Sequence, residues 1–219
     1  MSGRYGLTQF AGRRTVPALH ERFPTEEGAH VSLRRILTLA CAAAALLVMT
    51  GCATKAPPYQ PSIDNVSALK RGGSTAATVG TFTVQAGAVG ATTISLRAAD
   101  MTPPSGGSYA GYLAEALKSE LELAHRLDPK ANIEIAGVLL KNVINAGGIA
   151  RNDGEVQARF VVRRDGQVRF DKTKRGSGEW ESSFAGAVAI PRAQQQYPLI
   201  VQSLLAALYA DPDFLSAIR

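Results

Sequence analysis

The sequence predicts an α+β domain: an antiparallel sheet of about four to five strands with two amphipathic helices on one face. The order is ββαβββα, with a short terminal helix after it. Three observations carry this expectation. Between Tyr109 and Leu127, the residues Tyr112, Leu113, Ala116, Leu117, Leu121 and Ala124 recur at spacings of three and four and build one apolar helix face. Between Glu155 and Arg163 the pattern changes to alternation, with Val156, Ala158, Phe160 and Val162 on one side and only Val161 out of phase. Between Ala193 and Ala210 the helical spacing returns with Tyr197, Ile200, Val201, Leu204, Leu205 and Leu208.

The remaining elements follow in chain order. Thr81–Val84 and Thr92–Arg97 read as two short strands, broken apart by Gly87 and Gly90. Met101–Ser108, with Pro103, Pro104, Gly106 and Gly107, reads as a loop. Ser108 is placed to cap the helix that follows, and Asp128-Pro129 to end it, because a residue before proline avoids helical backbone. Ile133–Leu140 is apolar on both faces, which suits an inner strand. Asn145–Gly148 reads as a turn. The Asp165-Gly166 pair joins the alternating strand to Gln167–Lys174. A two-residue loop would set Val162 opposite Arg169 and Phe160 opposite Asp171. A three-residue loop, Arg164-Asp165-Gly166, instead matches Val162 with Val168 and Phe160 with Phe170, and is the expected register. Gly176-Ser177-Gly178 reads as a turn and Glu179–Phe184 as a last strand, with Trp180, Ser182 and Phe184 inward. Asp211 caps the terminal helix, which Pro212 opens. Trp180, Phe160 and Phe170 are expected to pack on Leu113, Leu117, Leu204 and Leu208.

The N-terminal quarter obeys a different logic. Arg34 and Arg35 precede an apolar run from Ile36 to Val48 that closes on Met49-Thr50-Gly51-Cys52. A positive start, an apolar stretch and a small-residue exit describe a secretory signal, and the run is too short for a membrane span. The ending resembles the lipobox of bacterial lipoprotein signals. That resemblance implies a diacylglyceryl group on the Cys52 thiol and cleavage after Gly51. The domain plan is then 1–30 as a mis-annotated start or disordered extension, 31–51 as signal peptide, 52–78 as flexible tether and 79–219 as periplasmic domain. Residues 1–30 are polar and show no apolar period, and Val31 fits an alternative start codon. A genuine cytoplasmic extension is the rival for that stretch. The tether is expected from the Pro-, Ser-, Gly- and Ala-rich composition of 53–78.

Charge and cysteine use narrow the function classes. The chain carries +6, but residues 1–51 hold six Lys/Arg against three Asp/Glu, which leaves +3 on residues 52–219. Nucleic acid loses most of its support as a partner. Cys41 leaves with the signal, so a domain in an oxidising compartment has no disulfide. His125 is the one histidine after residue 52 and reads as solvated at a helix end. Zinc clusters and Ser-His-Asp or Cys-His arrangements lack their members. Asp171 with Glu179 and Glu181, or the Arg151–Gly154 stretch, could in principle pair carboxylates, yet these positions alternate outward or lie in turns. Lys172–Arg175 could meet phospholipid head groups or peptidoglycan, and protection of a sheet edge explains the run equally well. No catalytic, cofactor-binding or metal residue is expected.

With its lipobox and its tail SLLAALYADPDFLSAIR, the chain resembles small Gram-negative envelope lipoproteins of the YajG-like type. Its layout is also similar to auxiliary lipoproteins of envelope ABC lipid transporters. The resemblance implies a non-enzymatic, lipid-anchored envelope protein whose periplasmic domain binds a protein partner, or an accessory subunit of a lipid-transport complex. Of site residues it carries over only Cys52. Ala53, where an aspartate would signal inner-membrane retention, implies the outer membrane.

Overall fold

The computed structural model describes residues 53–104 and 107–219. Its architecture is α+β, as the patterning predicts. Strand β1 (Ala53–Lys55), helix α1 (Ile63–Arg71), strands β2 (Thr78–Val84), β3 (Ile94–Leu96) and β4 (Ala99–Thr102) precede helix α2 (Tyr109–Leu123). Strands β5 (Ile133–Asn145), β6 (Arg151–Arg164) and β7 (Gln167–Glu181) then lead into helices α3 (Gly186–Tyr209) and α4 (Pro212–Ala217).

The main sheet has the order β2-β5-β6-β7, and a small sheet has the order β1-β4-β3. The main sheet is mixed, not wholly antiparallel, because β2 pairs with β5 in parallel. The cause is in the chain order. Helix α2 lies between those two strands, so the chain crosses back before it re-enters the sheet, and such a crossover makes neighbours parallel. Helices α2 and α3 share one face of the sheet as expected. The inner-facing residues Val156, Ala158, Phe160 and Val162 are buried with Leu113, Leu117, Leu204 and Leu208 in one apolar cluster, together with Phe170 and Trp180.

The expected tether is corrected. From Ala53 onward the chain is part of the domain: β1 pairs in parallel with β4, and α1 begins at a Ser62 cap that accepts from Asn65 N. The reason composition misleads is that only Asn65, Val66 and Leu69 of this helix are buried. A three-residue stripe is too small to shift the polar average of the segment. Met101, expected in a loop, is fully buried in β4.

Three further expectations fail over β7 and just past it. The hairpin turn is the two-residue one: Asp165 and Gly166 both take positive φ, 52° and 77°, and Arg164 faces Gln167. This is the backbone that matches strand twist in a tight hairpin. A bulge that skips Arg169 then sets Val162 opposite Phe170 and Phe160 opposite Lys172, in place of the expected Val162–Val168 and Phe160–Phe170 pairs. Val168 is left exposed. Gly176-Ser177-Gly178 is strand, not turn. A Cβ on Gly176 would stand 2.3 Å from Leu204 N and 2.4 Å from Ile200 O, so the missing side chain is what lets α3 cross the strand closely. The strand ends at Glu181, and Phe184, expected inward, is 87% exposed.

The helix ends are a mixed outcome. Ser108 and Asp211 cap α2 and α4 as expected, accepting from Gly111 N and Asp213 N. Helix α2 stops at Leu123, before Asp128-Pro129, where His125 turns to φ 58° and Arg126 N bonds back to Leu121 O. Helix α3 starts at Gly186 and runs through Pro191, seven residues earlier than the Ala193 start read from the sequence.

Candidate functional site: the end of the domain beside Cys52

Cys52 lies outside the described residues, but its successor does not. Ala53 sits opposite Asp100 and Lys55 opposite Thr102, so β1 runs in the direction of β4. The chain therefore enters the domain from the side where the β3–β4 turn lies. Seven bonds fix the segment behind it. Thr54 Oγ1 donates to Asp100 O and meets Gln194 Nε2, and Ala56 N donates to Thr102 O at 2.7 Å. Tyr112 Oη donates to Pro57 O at 2.9 Å, and Gln202 Nε2 to Gln60 O at 2.7 Å. The buried Glu120 carboxylate accepts from Tyr59 Oη at 2.5 Å and from Ser62 N at 3.1 Å. Burial and the adjacent Glu120 charge push the Tyr59 hydroxyl far above its ordinary pKa, so it remains a donor.

The β3–β4 turn is built around Arg97. This residue takes φ 58°, a left-handed backbone that a non-glycine residue adopts at some cost. Its side chain gives the compensating contacts. Nε donates to Ala146 O at 2.6 Å, Nη1 to Phe184 O at 3.2 Å, and Nη2 to Gly148 O and Ser183 O, each at 2.8 Å. Ser182 Oγ accepts a further bond at 3.2 Å. One guanidinium thus ties the β5–β6 loop to the β7–α3 loop and both to the turn beside β1. The tips of those two loops carry Ile149, 68% exposed, and Phe184, 87% exposed. Val188, in the first turn of α3 and four residues past Phe184, is exposed as well.

The other surfaces are chemically different. The sheet face away from the helices stays open. Ala136, Val138 and Val161 are half-buried there, beside an Arg159–Asp171 pair whose two bonds measure 2.6 and 2.5 Å. Glu155 gathers Lys141 at 3.1 Å, Arg175 at 2.7 Å and Gln157 at 2.6 Å. Burial disfavours its charge, but the bonds from Lys141 and Gln157 outweigh that and hold its pKa low. A groove of about 550 Å³ runs along Pro58, Tyr59, Pro103, Pro104 and Tyr112.

The carboxylates considered for catalysis are not brought together. Asp171 is bound by Arg159, and Glu179 stands eight residues further along the same strand, roughly 26 Å away. Glu179 faces Arg151 at 3.8 Å instead. The basic run is likewise answered inside the domain. Lys174 pairs with Asp211 at 2.5 Å, Lys172 with Asp213 at 2.7 Å, and Arg175 with Glu155. His125 is exposed just past the end of α2. Among the described residues, no group of His, Cys, Asp and Glu is arranged to hold a metal ion, and no helix is long and apolar enough to cross a membrane.

Sequence reasoning missed Arg97, which was read as the last residue of a strand, and it turned Phe184 inward. The one available signal was the break of alternation at Ser182-Ser183, two small polar residues ahead of the phenylalanine.

No family model and no curated protein sequence matches the chain. Solved structures with a similar fold outline exist. One is a Xanthomonas campestris protein of the family DUF330, at 9% identity and TM-score 0.44, covering 72% of this chain and 95% of that one. A second is a candidate lipoprotein from Caulobacter crescentus, at 14% identity and TM-score 0.40, covering 70% and 93%. A third is a hypothetical protein from Chlamydia trachomatis, at 9% identity and TM-score 0.36, covering 62% and 99%.

Proposed function

We propose that this chain is a lipid-anchored envelope lipoprotein whose domain works by binding a protein partner, without catalysis. The observation that carries the reading is the Met49-Thr50-Gly51-Cys52 ending, placed immediately before β1, which begins at Ala53. Ala53 in place of aspartate directs the acylated protein to the outer membrane, facing the periplasm. The dispersal of the acidic side chains into ion pairs supports a binding role over an enzymatic one.

The resemblance to auxiliary subunits of ABC lipid transporters offers a more specific form of the same reading. It rests on layout alone. The close seat of α3 on Gly176 leaves no room for a lipid between helix and sheet at that crossing.

The test is metabolic labelling with an alkyne fatty acid, followed by fractionation of the envelope. The wild-type chain should take the label and sediment with outer membranes, and Cys52→Ser should lose both. A wild-type chain that takes no label overturns the anchor. For the binding role, photo-crosslinking from Arg159 on the open sheet face should give one discrete protein adduct in cells.

A further inference from the structure

We propose that the end of the domain built around Arg97 lies on the lipid surface itself, with Phe184 and Ile149 inserted among the head groups. The inference rests on the lipid anchor proposed above and deepens it, from attachment to a fixed orientation.

The first argument is reach. An extended residue spans at most about 3.6 Å. The proposed acylated residue is followed directly by β1, which is held in the small sheet from Ala53. No slack lies between lipid and domain, so the part of the domain from which the chain departs must meet the bilayer. That part is the β3–β4 turn, because β1 and β4 run in parallel and Ala53 faces Asp100, three residues past Arg97.

The second argument is what stands there. Arg97 binds the carbonyls of Gly148 and Phe184, and so draws both loop tips to this end. Each tip presents a large apolar side chain that is mostly exposed. Apolar side chains at a polar–apolar boundary partition a few ångströms into the acyl region, and they reinforce an attached lipid. The opposite end of the sheet has no such match of surface and place. Its charges are internally paired at Asp211, and its exposed Val168 sits at the far hairpin. The strained backbone at Arg97 fits the same purpose, since a residue held at φ 58° by five bonds fixes the loops in position.

The test uses the full chain in cells. A benzophenone amino acid replaces Phe184 in one variant, Ile149 in a second and Val168 in a third. After illumination, mass spectrometry reads phospholipid adducts on the tryptic peptides Gly176–Arg192, Asn142–Arg151 and Asp165–Arg169, which are separate from any lipid on Cys52. Adducts at 184 and 149 should exceed those at 168 by about tenfold. An acylated Cys52 with no phospholipid at 184 or 149 overturns the orientation and leaves the anchor standing. A protein adduct at 184 in place of lipid also overturns it, and marks this end as a docking surface. An unmodified Cys52 with phospholipid still at 184 removes the anchor and keeps the lipid contact. An unmodified Cys52 with no adduct removes both.

Discussion

Two arginines do the same job at different depths. Arg126, 1% exposed, donates to Thr75 O, Leu69 O and Ile218 O, at 2.8, 2.9 and 2.6 Å. It binds the end of α1 and the last turn of α4 to the chain just past α2. Arg97 donates to four carbonyls and a hydroxyl at the end where β1 begins, on loops that reach solvent. Neither clamp is a salt bridge. The difference is what happens to the acceptors when the clamp is removed. Without Arg126, Ile218 O stays buried and unpaired and the buried Leu69 O keeps only its bond from Gly72 N, while the carbonyls around Arg97 can turn to water. Burial therefore converts one hydrogen-bonding pattern into global stability and the other into local order. In the interior, desolvation lowers the Arg126 pKa from its ordinary value, yet three bonds keep the guanidinium in place.

The largest effect should come from Phe160, which lies fully buried in β6 and sets the scale for both clamps. Phe160→Ala should cost about 3–5 kcal/mol in a urea titration. Arg126→Met should follow, at about 3 kcal/mol, because the buried Ile218 O and Leu69 O lose a charged donor at once. Gly176→Ala should cost about 1–3 kcal/mol, as the new methyl forces α3 off the sheet. Arg97→Met should cost only about 1 kcal/mol of global stability. Amide exchange should nevertheless speed up selectively in residues 146–150 and 182–185. Equal losses for the two arginine variants, with no local change at Arg97, would break the comparison.

The smallest effect is a pH dependence at the far end. Hydrogen bonding from Lys174, helped by Asp213 N and Lys172, holds the Asp211 carboxyl well below the usual carboxylate range. A carboxyl whose folded pKa is depressed stabilises the fold fully above its unfolded value, near 3.9, and loses that contribution as pH falls below it. Asp211→Asn keeps a side-chain cap for α4 but removes the charge. Its urea midpoint should thus fall short of wild type at pH 6, with the gap narrowing progressively as pH drops from about 4 to about 2. Parallel curves down to that pH would show that Lys174 and Asp211 are not coupled.

What the sequence made legible was periodicity. The inward face of β6, the buried stripes of α2 and α3, and the caps at Ser108 and Asp211 follow from spacing and residue type, and they stand in the structure. What it hid were features that depend on a distant partner. Gly176 reads as a turn unless Leu204 is known to cross it. The two-residue turn after Arg164 looks unfavourable until the bulge at Arg169 sets Val162 opposite Phe170. Helix α1 looks like linker because its stripe is small and needs Glu120 and Gln202 to complete it. The candidate surface was the least legible part. An arginine reads as solvent-facing by type, and no local pattern shows that Arg97 gathers carbonyls from 49 to 87 residues away.

The seat of α1 also sets an order of events. Asn65 Nδ2 bonds to Gln202 O, 137 residues later, and Arg126 joins Leu69 to Ile218. The β5–β6–β7 meander closes through neighbours in sequence and can form early. The first helix has no place to dock until the chain beyond Gln202 has been delivered, since such distant pairings carry a high entropic cost of closure. The segment from Ala53 to Arg71 is then the last part of the domain to be secured, although it is the first to be made.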